Sequence, residues 1–372
     1  MYADPNKFLA IVLITAVLSY MTCLSLVGLY NYLGGLDRSI KKLQSSHISA
    51  TPRLGGVAIL ISIILVEFIF GGLFRLWFLV AVVPVFLIGL LEDFHFETNP
   101  KLRLLVGGIA SLIAIFLSDT RITHVDFFIL DAVLIFAPLA VTFTIFASVG
   151  MINAINLIDG IHGFASAITV ITSLAIYMIA HQVGEYGIAS MAALVAAASL
   201  GLFFFSYPTG RIFMGDAGAY TLGFLIAWQI ILLLDRHPDL SAWSLLAITF
   251  WPVMDTLFSI FRRLSKGKRT NRPDLLHFHQ LVMRFWEVIS KNRISRKVAN
   301  PLATATILPL ALIPVILGIR FSHDVFTGQL IIIIGAILYV ALYNATFFVL
   351  RNRNLRKKVS NFIEPLWSRF CS

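Results

Sequence analysis

Charged residues are scarce in this sequence. Only 13% of its 372 residues are Asp, Glu, Lys or Arg, and 58% are hydrophobic, whereas a soluble domain carries about 25% charged residues. This composition excludes an ordinary soluble globular protein. The two cysteines, Cys23 and Cys371, are too few and too far apart for a disulfide framework. The start, from Met1 to Lys7, lacks the basic segment and cleavage site of a signal peptide, so we expect the apolar run that follows it to be a membrane span.

Apolar stretches of about 17 to 25 residues, the length that crosses a bilayer as a helix, recur along the whole chain. We therefore predict an all-α polytopic membrane protein with about eleven transmembrane helices in one domain, 1–350, which includes a long loop at 261–300, and a basic tail at 351–372. The predicted spans are 8–30, 54–74, 76–91, 102–118, 131–148, 163–181, 187–206, 218–234, 241–260, 302–319 and 329–350.

Lys and Arg are distributed unequally between the two sides that these spans define. If the spans alternate in direction, 24 of the 29 basic residues lie on one side. Because excess Lys and Arg stay in the cytoplasm, we predict an outer N-terminus and an inner C-terminus. This bias and attraction to anionic lipid account for the formal net charge of +10, so nucleic-acid binding is not required.

Two acidic or amide clusters lie on the predicted inner side. Glu92 and Asp93 directly follow an apolar run, where adjacent carboxylates could share a divalent cation or act as acid and base; the alternative is an ordinary cap and turn. Asn153, Asn156 and Asp159 are spaced by three, so on a helix they lie near one face. They could bind a uracil, a sugar amide or a metal, or they could form hydrogen bonds between helices, although that alternative leaves Asp159 unexplained.

Two further motifs suggest phosphate binding. The segment from Arg211 to Gly218 contains Gly215-Asp216 just before a span, where backbone N–H groups could hold phosphate and Asp216 its magnesium; the alternative is Asp216 as an N-cap. His277 and His279 would point the same way on an extended or loop backbone and could contact pyrophosphate. The alternative there is a solvated surface pair. Too few ligands lie near them for structural zinc.

A fifth motif is a basic loop from Asp37 to His47 that leads into Pro52-Arg53-Leu54-Gly55-Gly56. Its charge and its Pro and Gly residues indicate a cytoplasmic loop and a helix start. No chemistry follows from this motif alone.

Taken together, these five segments resemble the polyprenyl-phosphate N-acetylhexosamine-1-phosphate transferase family. The resemblance runs from about Asp37 to His279, and the stretches PRLGG, NLIDG and FMGDAG are specific as a set. It implies ten or eleven spans around a cytoplasmic cleft in the bacterial inner membrane, and transfer of a sugar 1-phosphate with release of UMP. It also implies Mg²⁺ as cofactor, with Mn²⁺ as a substitute, and UDP-N-acetylhexosamine and undecaprenyl phosphate as partners.

The family's functional residues map onto this sequence with three departures. Glu92 stands in place of an aspartate, His162 in place of a second aspartate, and Gln280 in place of a frequent third histidine. These departures resemble the branch that initiates O-antigen or similar surface glycans. From the motifs and the resemblance together, we assign catalysis to Glu92, Asp93 and Asp159, metal binding to Asp216 and Asp159, and substrate binding to His47, Asn153, Asn156, His162, Arg211, His277 and His279.

Alternative functions remain open from the sequence. The resemblance also covers the muramyl-pentapeptide translocase of peptidoglycan synthesis. A membrane transporter would likewise place carboxylates and glycines in membrane helices, but it predicts internal repeats and charges at the membrane midplane. Here the acidic groups gather at the inner edge. A homodimer is neither indicated nor excluded.

The predicted orientation is testable with reporter fusions. We expect alkaline phosphatase fused after Asp126 to be active and the same enzyme fused after Lys268 to be inactive, because phosphatase activity requires export and the basic loops stay inside. Activities measured in intact cells would decide this. The reverse pattern would place the polar clusters outside, away from cytoplasmic UDP-sugars.

Overall fold

The computed structural model describes residues 5–33, 51–73, 76–96, 98–265, 267, 276–291 and 293–370. All regular structure in these ranges is helical, which confirms the predicted all-α fold class. In chain order the fifteen helices are α1 (Pro5–Tyr32), α2 (Gly55–Phe70), α3 (Leu76–Asp93), α4 (Pro100–Ser118), α5 (Phe128–Leu134), α6 (Ala137–Ile158), α7 (Phe164–Gln182), α8 (Tyr186–Ser206), α9 (Gly215–Arg236), α10 (Ala242–Ala247), α11 (Phe250–Leu264), α12 (Phe278–Ile289), α13 (Arg296–Arg320), α14 (Val325–Arg351) and α15 (Arg353–Phe370).

The predicted spans fall on these helices. Eight helices in the described ranges (α1, α4, α6, α7, α8, α9, α13 and α14) are long and apolar enough to cross a bilayer, and α2 is apolar but has only 16 residues. Helices suit this environment because their backbone groups bond within one segment, which lipid requires. The chain is therefore a multi-pass membrane protein, while eleven spans and their direction stay predictions.

The predicted span 241–260 is wrong as one helix, because the chain forms α10 and α11 with a break between them. Pro252 has no N–H to donate to the carbonyl of Ile248 four residues earlier. That carbonyl instead accepts a hydrogen bond of 3.1 Å from the hydroxyl of Thr172 in α7. The break is thus stabilised by a neighbouring helix.

Two other boundaries differ from the sequence prediction. The span predicted at 131–148 begins in the short helix α5, and the long helix α6 starts only at Ala137. Helix α6 continues to Ile158, because the amide of Asn153 donates to the carbonyl of Val149 within the same helix (2.7 Å) and does not interrupt it. The basic tail contains a helix, α15, whose Ser360 hydroxyl donates to the carbonyl of Ile289 at the end of α12 (2.7 Å).

Helix α9 forms the centre of the structure. Of the most apolar 18 residues of α9, 94% are buried. The same share is 17% in α14 and 22% in α1, so these two helices lie at the periphery. Small residues allow α2 to approach α9 closely, since a Cβ atom on Gly56 would overlap the backbone of Gly218. Helix α2 therefore reaches the N-terminal end of α9, and so does α3, since a Cβ atom on Gly89 would overlap the backbone of Ala217.

The loops separate into two groups. Backbone or side-chain hydrogen bonds join residues 52–56, 93, 159 and 162 to residues 208–217 at one face. At the other face, Asp126 accepts from the backbone N–H of Ala242 (2.7 Å), and the backbone N–H of Ser241 donates to the carbonyl of Ser322 (2.7 Å). This grouping agrees with the alternation of predicted inner and outer loops.

Candidate active site

The first three backbone N–H groups of α9 are held by carboxylates from two other segments. Asp93, the last residue of α3, accepts from the N–H of Asp216 (2.8 Å) and of Ala217 (2.9 Å). Asp159, just after α6, accepts from the N–H of Gly215 (3.2 Å). Helix N-termini carry unpaired donors and partial positive charge, which anionic groups stabilise. The two predicted catalytic aspartates therefore meet at one helix end.

Gly215 makes this arrangement sterically feasible. Its φ angle is +76°, a conformation that residues with a Cβ rarely adopt. A Cβ atom there would also lie 2.6 Å from Oδ2 of Asp93 and 2.6 Å from the carbonyl oxygen of Arg53. Gly215, the first glycine of the FMGDAG stretch, is thus required both by the positive φ angle and by the lack of room for a Cβ atom.

The side chain of Asp216 faces the same cluster. Its Oδ1 accepts from the amide of Asn156 in α6 (2.6 Å), and its Oδ2 lies 3.8 Å from a guanidinium nitrogen of Arg53. Asp216 lies in the first turn of α9, and the N-cap position is Met214, so the interpretation of Asp216 as an N-cap is wrong. Its carboxylate does not cap its own helix and can therefore contact a ligand.

Backbone pairing places Arg53 beside Asp216. The N–H groups of Gly55 and Gly56, at the start of α2, donate to the carbonyls of Phe213 (2.9 Å) and Met214 (2.7 Å). The PRLGG and FMGDAG stretches, which are about 160 residues apart in the chain, are therefore in direct contact. The side chain of Arg53 is 31% exposed, so this cation is also open to solvent.

Glu92 has different partners from Asp93. Its Oε2 lies 3.2 Å from a guanidinium nitrogen of Arg103 in α4 and accepts from the hydroxyl of Tyr220 in α9 (3.2 Å). Thr98 donates to its other oxygen. This carboxylate is buried and satisfied, so adjacent acidic residues serve separate hydrogen-bond networks.

The histidine pair is buried at a helix start, which corrects the expected loop backbone. His277 directly precedes α12 and His279 lies in its first turn, and the two residues are 4% and 1% exposed. The interpretation as a solvated surface pair is therefore wrong. The two rings still lie together, with centroids 5.7 Å apart and planes 14° apart.

Gly160 connects the histidine pair to the carboxylate cluster. A Cβ atom on Gly160 would lie 2.5 Å from Nε2 of His279, so this ring packs directly on the turn that carries Asp159. Within the described residues, no hydrogen bond reaches either ring nitrogen of His279. Burial lowers the pKa of His279 to about 4, although the carboxylate of Asp255 opposes this. A neutral ring thus lies beside Asp159.

Burial also changes the titration of Asp159. It raises the pKa of this carboxyl to about 7; Arg53 opposes the shift, and the nearby carboxylate of Asp216 adds to it. Asp159 and Asp216 thus bring two interacting, partly buried carboxyl groups to one site, which favours binding of a cation beside them.

His162 belongs to a different set of contacts. Its backbone N–H donates to the side-chain oxygen of Asn300 in α13 (2.6 Å), and its Nδ1 donates to the carbonyl of Pro208 (2.9 Å). Burial lowers the pKa of this imidazole, while the Pro208 carbonyl opposes the shift. These contacts join the α6–α7 turn to the 207–214 loop and to α13.

The remaining predicted residues are not joined to the cluster. The side-chain amide of Asn153 bonds within α6. Arg211 is exposed, and within the described part of the chain no hydrogen bond or ion pair links it to Asp216. His47 lies outside the described residues.

Three residues near the cluster were not predicted as site residues. Arg53 lies inside the PRLGG stretch, but its positive charge was attributed to topology alone. Arg103 is the second residue of the predicted span 102–118, whereas Asp255 lies well inside the predicted span 241–260. A charged residue inside an apolar span is costly, and that signal could have identified Asp255.

Comparison with known proteins gives a consistent result. Residues 75–234 match the profile described as glycosyl transferase family 4. The chain is 30% identical over 250 residues to a probable undecaprenyl-phosphate N-acetylglucosaminyl 1-phosphate transferase of Bacillus subtilis, covering 64% of this chain and 67% of that protein. It is 29% identical over 256 residues to undecaprenyl-phosphate alpha-N-acetylglucosaminyl 1-phosphate transferase of Escherichia coli (65% and 67%). It is 31% identical over 261 residues to phospho-N-acetylmuramoyl-pentapeptide-transferase of Streptococcus agalactiae (62% and 75%).

The contact between Gly160 and His279 gives a testable prediction. We expect Gly160→Ala to lower the transfer activity for which these relatives are named by at least tenfold, because the added methyl group displaces His279; overpacking of this kind costs about 1–3 kcal/mol. Initial rates in membrane vesicles measure the effect. Gly150→Ala is the matched control, since a Cβ atom on that α6 glycine has nothing within 4 Å. Equal rates for both variants would show that the position of His279 is unimportant.

Proposed function

The chain belongs to glycosyl transferase family 4, and from that premise we propose that it transfers an N-acetylhexosamine 1-phosphate from a UDP-sugar to undecaprenyl phosphate. UMP is released, and the product is the lipid-linked first sugar of a surface glycan such as an O-antigen. The chain is a multi-pass protein of the bacterial inner membrane. The names of the relatives favour an enzyme over the transporter considered from the sequence.

The convergence of three motif segments on the N-terminus of α9 is the observation that carries this proposal. Arg53 comes from the PRLGG stretch, Asp93 from the end of α3, and Asn156 and Asp159 from the NLIDG stretch, yet each contacts the first turn of α9 or the side chain of Asp216. The result combines carboxylates, an amide and a cation at a helix end that favours anions. A donor with a pyrophosphate group suits such a mixed site.

The residues present fit a magnesium ion. Mg²⁺ prefers oxygen ligands and is usually held by one or two carboxylates together with substrate phosphates and water. Asp216 and Asp159 offer such carboxylates, and the side-chain amide of Asn156 donates to Asp216 (2.6 Å). Within the described residues no group of three or more His, Cys, Asp or Glu could hold a metal, so substrate phosphates would have to complete the shell. Bound there, the ion would neutralise charge on the transferring phosphoryl group.

The chemical step follows from the substrates. An oxygen of the lipid phosphate attacks the β-phosphorus of the UDP-sugar and forms a new P–O–P linkage, while the bond from that phosphorus to the bridging oxygen breaks and UMP leaves. The second pKa of a phosphate monoester is about 6, so at neutral pH the attacking group is mostly a dianion. A strong base is therefore not needed. Charge neutralisation and alignment are the main requirements.

The protein's cations and helix termini meet these requirements. Arg53 is close to Asp216 and partly exposed, so it can contact a phosphate oxygen from the solvent side. We assign His277 and His279, which lie at the start of α12, to the donor pyrophosphate, because the ring of His279 packs on the Asp159–Gly160 turn. Asn156 orients Asp216 through its 2.6 Å hydrogen bond.

Asp93 takes a positioning role. The resemblance assigns Asp93 to catalysis, but both of its oxygens accept backbone N–H groups of α9. Through them it fixes the first turn that carries Asp216. Glu92 similarly holds Arg103 and Tyr220 in place.

A second donor is supported by one comparison. The similarity to phospho-N-acetylmuramoyl-pentapeptide-transferase covers 75% of that protein, which supports UDP-N-acetylmuramoyl-pentapeptide as a second candidate donor. Vesicles carrying the chain should be offered this nucleotide and UDP-N-acetylglucosamine in parallel, each radiolabelled, with undecaprenyl phosphate. Labelled lipid from one donor alone identifies the branch.

The role of Asp216 gives the main mutational prediction. We expect Asp216→Asn to lower transfer to less than a tenth of the wild-type rate, because the amide keeps the size of the side chain but removes the charge that a cation requires. Expression and membrane insertion should stay near normal. The rate is measured in vesicles at saturating Mg²⁺.

Asp239→Asn is the control for this variant, since Asp239 is exposed and lies on the opposite face. EDTA should abolish wild-type transfer, and Mg²⁺ or Mn²⁺ should restore it better than Ca²⁺, whose bonds are longer. A rate above one tenth for Asp216→Asn would overturn its assignment as a metal ligand.

A further inference from the structure

Asp255 is a buried carboxylate outside the cluster at the N-terminus of α9. It lies in α11, is 2% exposed, and accepts three hydrogen bonds. Its Oδ2 accepts from Nδ1 of His277 (2.8 Å), and its Oδ1 accepts from the N–H of Phe278 (3.0 Å) and from the hydroxyl of Tyr339 in α14 (2.5 Å). Burial of a carboxylate is costly unless it is fully hydrogen-bonded, and here it is.

A second set of contacts holds the residue before His277. Arg262, two turns after Asp255 in α11, donates to the carbonyl of Leu276 and to the hydroxyl of Tyr343. Tyr343, one turn after Tyr339 in α14, also donates to the Leu276 carbonyl (3.0 Å). The backbone is therefore held on both sides of His277, at the Leu276 carbonyl and at the Phe278 N–H.

These contacts determine which nitrogen of His277 carries a proton. A carboxylate only accepts hydrogen bonds, so Nδ1 must be the donor in the His277–Asp255 pair. The bond also fixes the plane of the ring, because Oδ1 of the same carboxylate is anchored to the next residue's backbone. Groups held this way keep the productive geometry that transfer reactions depend on.

We propose that Asp255 is a positioning residue that sets the orientation and tautomer of His277 and the start of α12, and so holds the histidine pair against the Asp159–Gly160 turn. The inference rests on the proposed function, in which His277 and His279 contact the donor pyrophosphate. It predicts an effect on the UDP-sugar that passes through His277. A carboxylate that only joined α11, α12 and α14 would affect both substrates alike.

A double-mutant cycle separates these two roles. Asp255→Asn, His277→Gln and the double variant are compared with wild type in steady-state transfer, varying the UDP-sugar and undecaprenyl phosphate in turn. We expect Asp255→Asn to raise KM for the UDP-sugar at least fivefold and to leave KM for undecaprenyl phosphate within twofold. In the His277→Gln background, Asp255→Asn should add less than a twofold change, because residues that act as a unit are not additive.

Stability and a matched variant complete the experiment. Asp126→Asn is the control, since Asp126 also accepts a backbone N–H but lies on the opposite face; its kinetic constants should equal those of wild type. If Asp255→Asn does not accumulate, Tyr339→Phe takes its place, because it removes one hydrogen-bond donor from the same carboxylate. We expect a smaller increase in KM for the UDP-sugar, and no increase in the His277→Gln background.

Three results would count against the positioning role of Asp255 without counting against the proposed function. Independent, multiplicative effects of Asp255→Asn and His277→Gln, or equal changes in KM for both substrates, would overturn the positioning role. A fully active His277→Gln variant would also overturn it. In each case wild-type transfer would still support the proposed function, which fails only if wild type itself transfers no sugar phosphate.

Discussion

The first turn of α9 is held in place by carboxylates that belong to other helices, and the rest of the site depends on this interaction. Helix ends leave N–H groups unpaired, and a buried end needs partners for them. Asp93 supplies two acceptors and Asp159 one. Since α3, α6 and α9 are anchored to each other at this point, the carboxylate of Asp216 projects from a fixed turn. The same interaction explains why Gly215 must lack a side chain.

The histidine segment is attached to this centre by packing and by a separate polar network. The ring of His279 contacts Gly160, next to Asp159, and Asp255 anchors His277 from α11. The Asp159–Gly160 turn contacts both networks, through the bond from the N–H of Gly215 to Asp159 and through the ring of His279 on Gly160. A donor pyrophosphate that reaches both networks would couple donor binding to the geometry around Asp216.

The sequence was sufficient to predict the fold class and the identity of most of the cluster. Apolar runs fix membrane helices because the bilayer leaves no alternative, and Asp159 and Asp216 are too costly in an apolar setting to be incidental. Contacts between distant segments were not predictable. That Asp93 caps α9, or that Arg53 faces Asp216, depends on how helices pack, and no spacing within one segment specifies it. The histidine pair was misplaced for a similar reason, since the anchor that starts α12 at His277 is Asp255, 22 residues earlier.

The central claim is that the phosphate travels with the sugar, and a double-label assay tests it most directly. Membranes carrying the chain would be given undecaprenyl phosphate and a UDP-N-acetyl sugar labelled with ¹⁴C in the sugar and ³²P at the β-phosphorus. The account predicts that both labels enter the lipid fraction in equal amounts and that one UMP is released per labelled lipid. Entry of ¹⁴C without ³²P, with release of UDP, would show simple glycosyl transfer and would contradict it.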